Sequence, residues 1–334
     1  MIVNGYLIGP DANLENANLA GANLAGANLE KANLAGANLA GANLENANLA
    51  GAVLHFSSLV GSTLSGVNMF EADLTKADLA GANFVGANLE CANMAGANLS
   101  NANLAGAELA GVDLSRAVLI GANLAKTNLR TADLSNSDLS YADLSHTNMY
   151  RVNLIGSNMS FLDLTFANLS HSEMCGQDLT TSNLAGTDFA FANMTGVNLS
   201  GQDLRNLNFN ETDLSHANLT NADFSNSCLQ GAALTNADFS KSNMQGANLS
   251  WSDVSEGVKW DANWKNADFT GAKIGGPLPN GVIEDRRKNE FVGRPLSSFS
   301  FSKGYSDFRP RSELDQLASD WGYSSWREFD DSRE

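Results

Sequence analysis

Residues 11–50 read DANLENANLAGANLAGANLEKANLAGANLAGANLENANLA, and the same five-residue pattern continues far beyond them. Every fifth residue from Leu14 to Val254 is Leu, Met, Phe or Val, which makes 49 consecutive positions in one register. Lys259 interrupts this series shortly before it ends at Ile274. A small residue, usually Ala, stands two places before each of these positions, and Asn or Asp usually lies between them. A pattern of this length decides the fold of most of the chain.

A repeat of five fits neither a continuous helix, with a period of about 3.6, nor a continuous strand, with a period of about 2. It fits three extended residues followed by a two-residue corner. In Ala22-Asn23-Leu24 the outer two side chains point to one side and Asn23 points to the other. Ala25-Gly26 then turns the chain, and glycine suits this corner because such a turn can require positive φ. Repetition predicts a coil lined by Ala and Leu, whose successive turns pair their backbone groups.

The A(N/D)LXX pattern resembles the repeats of the pentapeptide-repeat family, over residues 11–274 or about four fifths of the chain. The resemblance implies an all-β fold, a right-handed quadrilateral parallel β-helix with four pentapeptides in each coil. The 53 units of this solenoid would make about 13 coils. At roughly 4.8 Å per coil, the solenoid would be a rod on the order of 60 Å long.

Both ends of the chain depart from the repeat. Residues 1–10, MIVNGYLIGP, are bulky and off register, which predicts an N-terminal cap over the first coil. Glycines and prolines open a tail, residues 275–334, and proline cannot join a ladder of strands. Ser312 begins a pattern typical of a helix start, so we expect a short helix near 312–321 in an otherwise irregular tail.

The net charge is −17, and residues 1–70 contribute only −3 of it. An acidic rod repels nucleic acid and anionic membranes, so neither is an expected partner. The negative charge either attracts a basic partner to the rod or only keeps the rod soluble. No apolar run is long enough to span a membrane and no signal peptide is visible, which favours a cytoplasmic location. A place in a virion or another assembly stays open.

Signals for catalysis are absent from the sequence. The Asn and Asp residues recur as a ladder, which indicates a structural role and not an acid–base pair in two different environments. No insertion interrupts the register from residue 14 to 254, whereas active sites usually lie on loops. The histidines do not stand at metal-ligand spacing; they are His55, His146, His171 and His216. We therefore expect no enzyme activity, no cofactor and no metal.

Bulky side chains replace glycine at the corners of residues 131–216. With coils of four pentapeptides, as the resemblance implies, Tyr141 lies beneath Phe161 and His146 beneath Phe166. Exposed aromatic residues near arginine are enriched at interfaces. The predicted partner-binding residues here are Tyr141, Arg151, Phe161, Phe166 and Phe191. The alternative is that these side chains merely cover the backbone of neighbouring coils.

The tail carries apolar residues that something must cover. The predicted docking residues are Leu314, Leu317, Trp321 and Trp326. They either fold back on the last coil or dock on a partner, which could be a second copy of the chain.

The sequence is compatible with two functions. The first is a non-enzymatic structural or interaction protein, a rigid acidic rod that presents a partner-binding surface and a C-terminal docking arm. The second follows from the resemblance, because some members of the family mimic DNA and protect DNA gyrase, a type II topoisomerase. The weak charge of residues 1–70 argues against a uniform mimic of DNA.

Overall fold

The computed structural model describes residues 2–275, which form two compact units. The first unit runs to Thr187 and also includes Ala192–Asn198, whereas the second consists of Asp188–Phe191 and the chain from Leu199 onward. The predicted tail helix near 312–321 lies outside the described residues, as do the predicted docking residues Leu314, Leu317, Trp321 and Trp326.

Backbone pairing at a spacing of four pentapeptides holds each unit together. The pattern is clear at Leu19, whose N–H donates to the carbonyl of Asn38 at 2.7 Å. The N–H of Asn38 donates back to the carbonyl of Ala17 at 2.9 Å, so Asn18 and Asn38 pair in parallel. The carbonyl of Leu19 also accepts from the N–H of Ala22 at 3.0 Å across the corner. Nearly every polar backbone group therefore has a partner without long strands, and both units are β-helical solenoids.

Regular strands of two residues occur only near the two ends of the described chain. Strands β1 (Ile2–Val3) and β2 (Tyr6–Leu7) form an antiparallel hairpin, and β3 (Asp253–Val254) pairs in parallel with β4 (Lys273–Ile274). Between them each extended segment contributes one paired residue before the next corner. Residues 2–275 contain no helix.

The inward and outward positions agree with the five-residue pattern. Leu19 and Leu139 are fully buried, and Ala17 is 1% exposed. At several positions where Ser or Thr replaces the inward Ala, the hydroxyl donates to a nearby carbonyl, as when Ser57 Oγ donates to the carbonyl of Leu54 at 2.6 Å. A polar side chain can thus enter the interior because its hydrogen bond compensates the loss of water.

The corner residue has positive φ in nearly every pentapeptide. Gly21 has φ 64°, as the turn argument predicts, but Asn16 at 55° and Tyr141 at 62° adopt the same conformation. A left-handed backbone costs a residue with a Cβ about 1–2 kcal/mol relative to glycine. The pairing of the surrounding coils holds these residues in place despite this cost.

The N-terminal hairpin has a turn that the sequence encodes directly. Asn4 and Gly5 join its strands with φ 52° and 86°, as in the Asn-Gly turns that match the twist of paired strands. The hydroxyl of Tyr6 accepts from the N–H of Asn18 at 3.3 Å, which ties the hairpin to a coil of the first unit. That this segment acts as a cap stays a prediction.

The second unit departs from the regular coil spacing near its end. Asp238 pairs with Lys259 and not with the residue before it, so one extra residue is accommodated there. Lys259 is exposed, which explains why a charged residue breaks the apolar series. Trp264 is 3% exposed and packs 5.3 Å from Phe239 and 5.5 Å from Phe269. Aromatic rings therefore fill the interior where the repeat is irregular.

Candidate protein-binding surface

The first aromatic pair of the predicted surface stands at one corner of the first unit. Tyr141 and Phe161 stand one coil apart, and their ring centroids lie 4.9 Å from each other with planes inclined by 11°. The two side chains remain 62% and 54% exposed. The coil spacing thus stacks two rings while leaving much of their apolar surface in water.

A second aromatic pair stands at the next corner along the chain. His146 and Phe166 stack with centroids 5.1 Å apart, and Phe166 is 39% exposed. The ring of Phe166 extends over Gly186, where an added Cβ would lie 2.4 Å from a ring carbon. Gly186 therefore leaves the space that the ring of Phe166 occupies.

Arg151 belongs to a third cluster, which is centred on Tyr150. The guanidinium carbons of Arg130 and Arg151 lie 5.4 Å and 5.2 Å from the Tyr150 ring centroid. The ring of His171 meets Tyr150 edge-on at 5.1 Å. Arg151 is one of the predicted surface residues, but Arg130, which lies 20 residues before Tyr150 and so one coil beneath it, is not.

Phe191 belongs to the second unit and not to the first. Its N–H donates to the carbonyl of Asn210 at 2.8 Å, which fixes the backbone at its corner. Four of the five predicted surface residues therefore share one unit, and they are Tyr141, Arg151, Phe161 and Phe166.

A short polar strip separates the two aromatic pairs. Each coil crosses this strip in three residues, or roughly 10 Å of extended chain. Asp143 and Asp163 stand at its centre, paired in the backbone ladder. One carboxylate oxygen of each accepts a backbone N–H at 2.9 Å, from Ser145 and Thr165 respectively. These hydrogen bonds agree with a structural role of the ladder, and the strip also carries the two carboxylate groups.

Other exposed aromatic side chains in the described chain lack a stacked aromatic neighbour one coil away. Phe56 is 63% exposed, with the ammonium of Lys76 at 5.5 Å from its ring centroid. Trp251 is 47% exposed and lies over Gly271. Both stand at corners, as the residues of the predicted partner-binding surface do. They are therefore suitable controls for that surface.

Charged side chains of the second unit form local pairs. Lys259 hydrogen-bonds Asp238 and lowers the pKa of that carboxyl to about 2. Arg205 donates to Asp203 at 2.6 Å and lowers its pKa as well. Burial raises the pKa of Glu211. The basic neighbour is the largest cause of the shift at each aspartate, whereas burial is the cause at Glu211.

Residues 2–275 hold no group of three or more His, Cys, Asp or Glu side chains placed to bind a metal ion. Within the same part of the chain, no helix has the length and apolar character that crossing a bilayer requires.

The repeats identify the family. The chain belongs to the family of pentapeptide repeats, whose profile matches it eight times. The matches cover residues 11–46, 27–66, 68–104, 97–136, 132–170, 157–190, 182–221 and 217–255.

Solved structures of the same family are similar to this chain. HetL, a pentapeptide repeat protein involved in heterocyst differentiation regulation in the cyanobacterium Nostoc, is 31% identical over 62% of this chain and 89% of its own, with a TM-score of 0.30. Full-length QnrB1, a plasmid-mediated fluoroquinolone resistance protein, is 19% identical over 68% and 86%, with a TM-score of 0.23. Rfr23 from the cyanobacterium Cyanothece is 24% identical over 40% and 85%, with a TM-score of 0.15. No curated protein matches the chain significantly.

Proposed function

We propose that this pentapeptide repeat protein is a non-enzymatic interaction protein, and that the corners of its first unit bind a protein partner. The observation that carries the proposal is the pair of exposed aromatic stacks at two successive corners, Tyr141 on Phe161 and His146 on Phe166. Stacking alone does not require such exposure, and large apolar side chains left in water are typical of binding sites.

The backbone at these corners shows how little the exposed rings add to stability. Tyr141, Phe161 and Phe166 have φ of 62°, 57° and 58°, where glycine has no strain. Each of them therefore carries a conformational cost of about 1–2 kcal/mol. A stacked ring contributes about 0.5–1.5 kcal/mol, which offsets that cost without exceeding it clearly. Non-glycine residues bear the same cost at many other corners, so the exposure of these rings, and not their backbone, favours recognition.

The other parts of the proposal concern features outside these corners. The tail, residues 275–334, would act as a docking arm through Leu314, Leu317, Trp321 and Trp326, with a homodimer as one outcome. The solenoid would be a right-handed quadrilateral helix of about 13 coils, forming a rigid acidic rod. A cytoplasmic location fits such a protein.

The alternative function is that of a DNA mimic which binds and protects gyrase. The acidity of the chain, a net charge of −17, is the observation that favours it. A supercoiling assay with purified gyrase, with and without a quinolone, distinguishes it, because a mimic changes the activity of gyrase at low salt.

The experiment for the leading proposal is capture of a partner by the full chain. Phe161→Asn combined with Phe166→Asn removes one ring from each stack, and asparagine tolerates the corner backbone. We expect the captured partner to be lost while the far-ultraviolet spectrum and melting temperature stay unchanged. Phe56→Asn is the control, because it removes a ring that is more exposed, at 63%, from another corner of the first unit and should leave capture intact.

A further inference from the structure

The polar strip between the two aromatic stacks carries two like charges in direct succession. Asp143 and Asp163 are ladder partners, so their Cα atoms are separated by roughly the strand spacing of 4.8 Å. Like charges directly opposite each other in a sheet are destabilising. Asn123 and Asn183, the neutral residues before and after them in the same ladder, show that the position does not require a charge.

At some other positions of the first unit, a side-chain amide from the following coil donates to a ladder carboxylate. The side chain of Asn153 donates to Asp133 at 3.1 Å, and that of Asn158 donates to Asp138 at 3.0 Å. Asp143 is followed by a second carboxylate and receives no such bond. Asn183 follows Asp163 but donates instead to the hydroxyl of Thr165, at 2.8 Å.

Residues 2–275 contain three steps at which one Asp pairs with another: Asp113 with Asp133, Asp143 with Asp163, and Asp203 with Asp223. Arg205 lies in the last of these and donates to Asp203 at 2.6 Å. Arg116 stands at the corner that follows Asp113, although within residues 2–275 it forms no ion pair with Asp113 or Asp133. The corners on either side of the Asp143–Asp163 pair carry the two aromatic stacks. Within residues 2–275 neither Asp143 nor Asp163 forms an ion pair.

We propose that a cationic segment of the partner protein occupies this strip and supplies the missing positive charge. Arginine is the side chain that fits best, because its planar guanidinium can donate to two carboxylates and also lie against aromatic rings. The partner's apolar side chains would then cover Tyr141, Phe161 and Phe166. This inference rests on the proposed function, since it names the chemistry of the partner at the same surface.

The dimensions of the strip fit one extended polypeptide. A width of roughly 10 Å between corners accommodates a single strand with its side chains. The remaining basic residues in the flanking corner columns are His146 and, one coil earlier, Lys126, and the latter makes no ion pair with Asp143. The negative charge of the strip therefore stays available to a positively charged partner.

A peptide binding experiment tests the inference. The probe is a fluorescein-labelled peptide of alternating arginine and valine, and its neutral counterpart alternates serine and valine. Fluorescence anisotropy measures the affinity of the full chain for each at physiological ionic strength. The test variant combines Asp143→Asn with Asp163→Asn, which places the commonest ladder residue at both positions and so preserves the fold.

The matched control combines Asp113→Asn with Asp133→Asn. It removes the same charge from another stacked pair of the first unit, whose following corner holds Arg116 and no aromatic ring. We expect the test variant to bind the arginine peptide roughly tenfold more weakly than the wild type, because two charge-assisted contacts are lost. The control should change the affinity by less than about twofold.

Equal losses in the two variants would overturn the inference, because they would indicate general attraction to an acidic protein. So would a wild-type chain that binds the serine peptide as tightly as the arginine peptide. If Phe161→Asn with Phe166→Asn abolishes capture of the natural partner while the aspartate variant captures it normally, the proposed function stands and the cationic partner is wrong. Normal capture by both variants contradicts both proposals.

Discussion

Two aromatic stacks, one in each unit, occupy different positions of the same pentapeptide. In the second unit Phe189 and Phe209 lie inside, where they stack 5.2 Å apart and are fully buried. In the first unit Tyr141 and Phe161 stack at nearly the same distance, 4.9 Å, yet more than half of each side chain is exposed. A ring inside the coil contributes to stability, whereas a ring at the corner is available for recognition.

The largest expected effect tests the inward position itself. Leu139 is fully buried, and Leu139→Asp would place a charge among apolar side chains without a partner. We expect a loss of roughly 5 kcal/mol in the free energy of unfolding, measured by urea denaturation. Asn23→Ser, at an outward position, is the control and should be nearly silent. Similar midpoints for the two variants would show that the inward and outward assignments are wrong.

The next prediction compares the two kinds of aromatic ring directly. Phe209→Ala removes a buried ring that packs against Phe189 and Phe224, and it should cost about 3–5 kcal/mol because a cavity remains. Phe161→Asn should change stability by less than about 1 kcal/mol, since the lost stacking is offset by a residue better suited to positive φ. Thermal denaturation monitored by circular dichroism measures both. If Phe161→Asn lowers the stability as much as Phe209→Ala does, the contrast between a corner ring and an interior ring is wrong.

A smaller effect is expected at the glycine beneath a corner ring. Gly186→Ala adds a methyl group where φ is +71° and where its Cβ would lie 2.4 Å from the ring of Phe166. Gly176→Ala has a similar φ of +68° but nothing within 4 Å, so it reports backbone strain alone, about 1–2 kcal/mol. We expect Gly186→Ala to lower the melting temperature further and to weaken the nuclear Overhauser contacts between Phe166 and His146. Equal melting temperatures would show that the Phe166 ring moves aside freely.

The smallest effect concerns the surface charges of the second unit. Lys259 holds the pKa of Asp238 at about 2, below the ordinary value of 3.8, so this ion pair stabilises the fold above pH 4 and is lost as the pH falls toward 2. Lys259→Met should move the titration midpoint of the Asp238 carboxyl carbon, followed by NMR, back toward the ordinary value. Lys273→Met is the control, because Lys273 pairs with Asp253 instead. An unchanged Asp238 midpoint in Lys259→Met would contradict the ion pair.

Much of the fold could be predicted because each pentapeptide repeats the same physical constraint. A period of five left only an extended segment and a corner, and the burial of Leu19 and Ala17 agrees with it. Positive φ at non-glycine corners, as at Tyr141, could not be predicted, since pairing between coils overrides the local preference of the residue. The division at Thr187 was not foreseen either, because the register of the sequence does not change there.

The candidate surface could be predicted in part. The stack of Tyr141 on Phe161 followed from a coil of four pentapeptides. The charges of Asp143 and Asp163 were overlooked because both fit the ladder consensus, and only their pairing with each other makes them unusual. Arg130 lies 20 residues before Tyr150, so the same coil spacing places it there, and it was missed because only the second residue of each corner was considered.

Pairing at a fixed spacing of four pentapeptides also constrains how a gene of this kind can change length. Inserting one pentapeptide after Arg151 would keep every Leu facing inward, but Tyr141 would then face the position of Gly156, and His146 would face Phe161. Inserting four pentapeptides at a point outside the surface would lengthen the solenoid and keep both stacks. Duplications of one repeat therefore reshuffle the exterior of the protein, whereas duplications of a full coil preserve it.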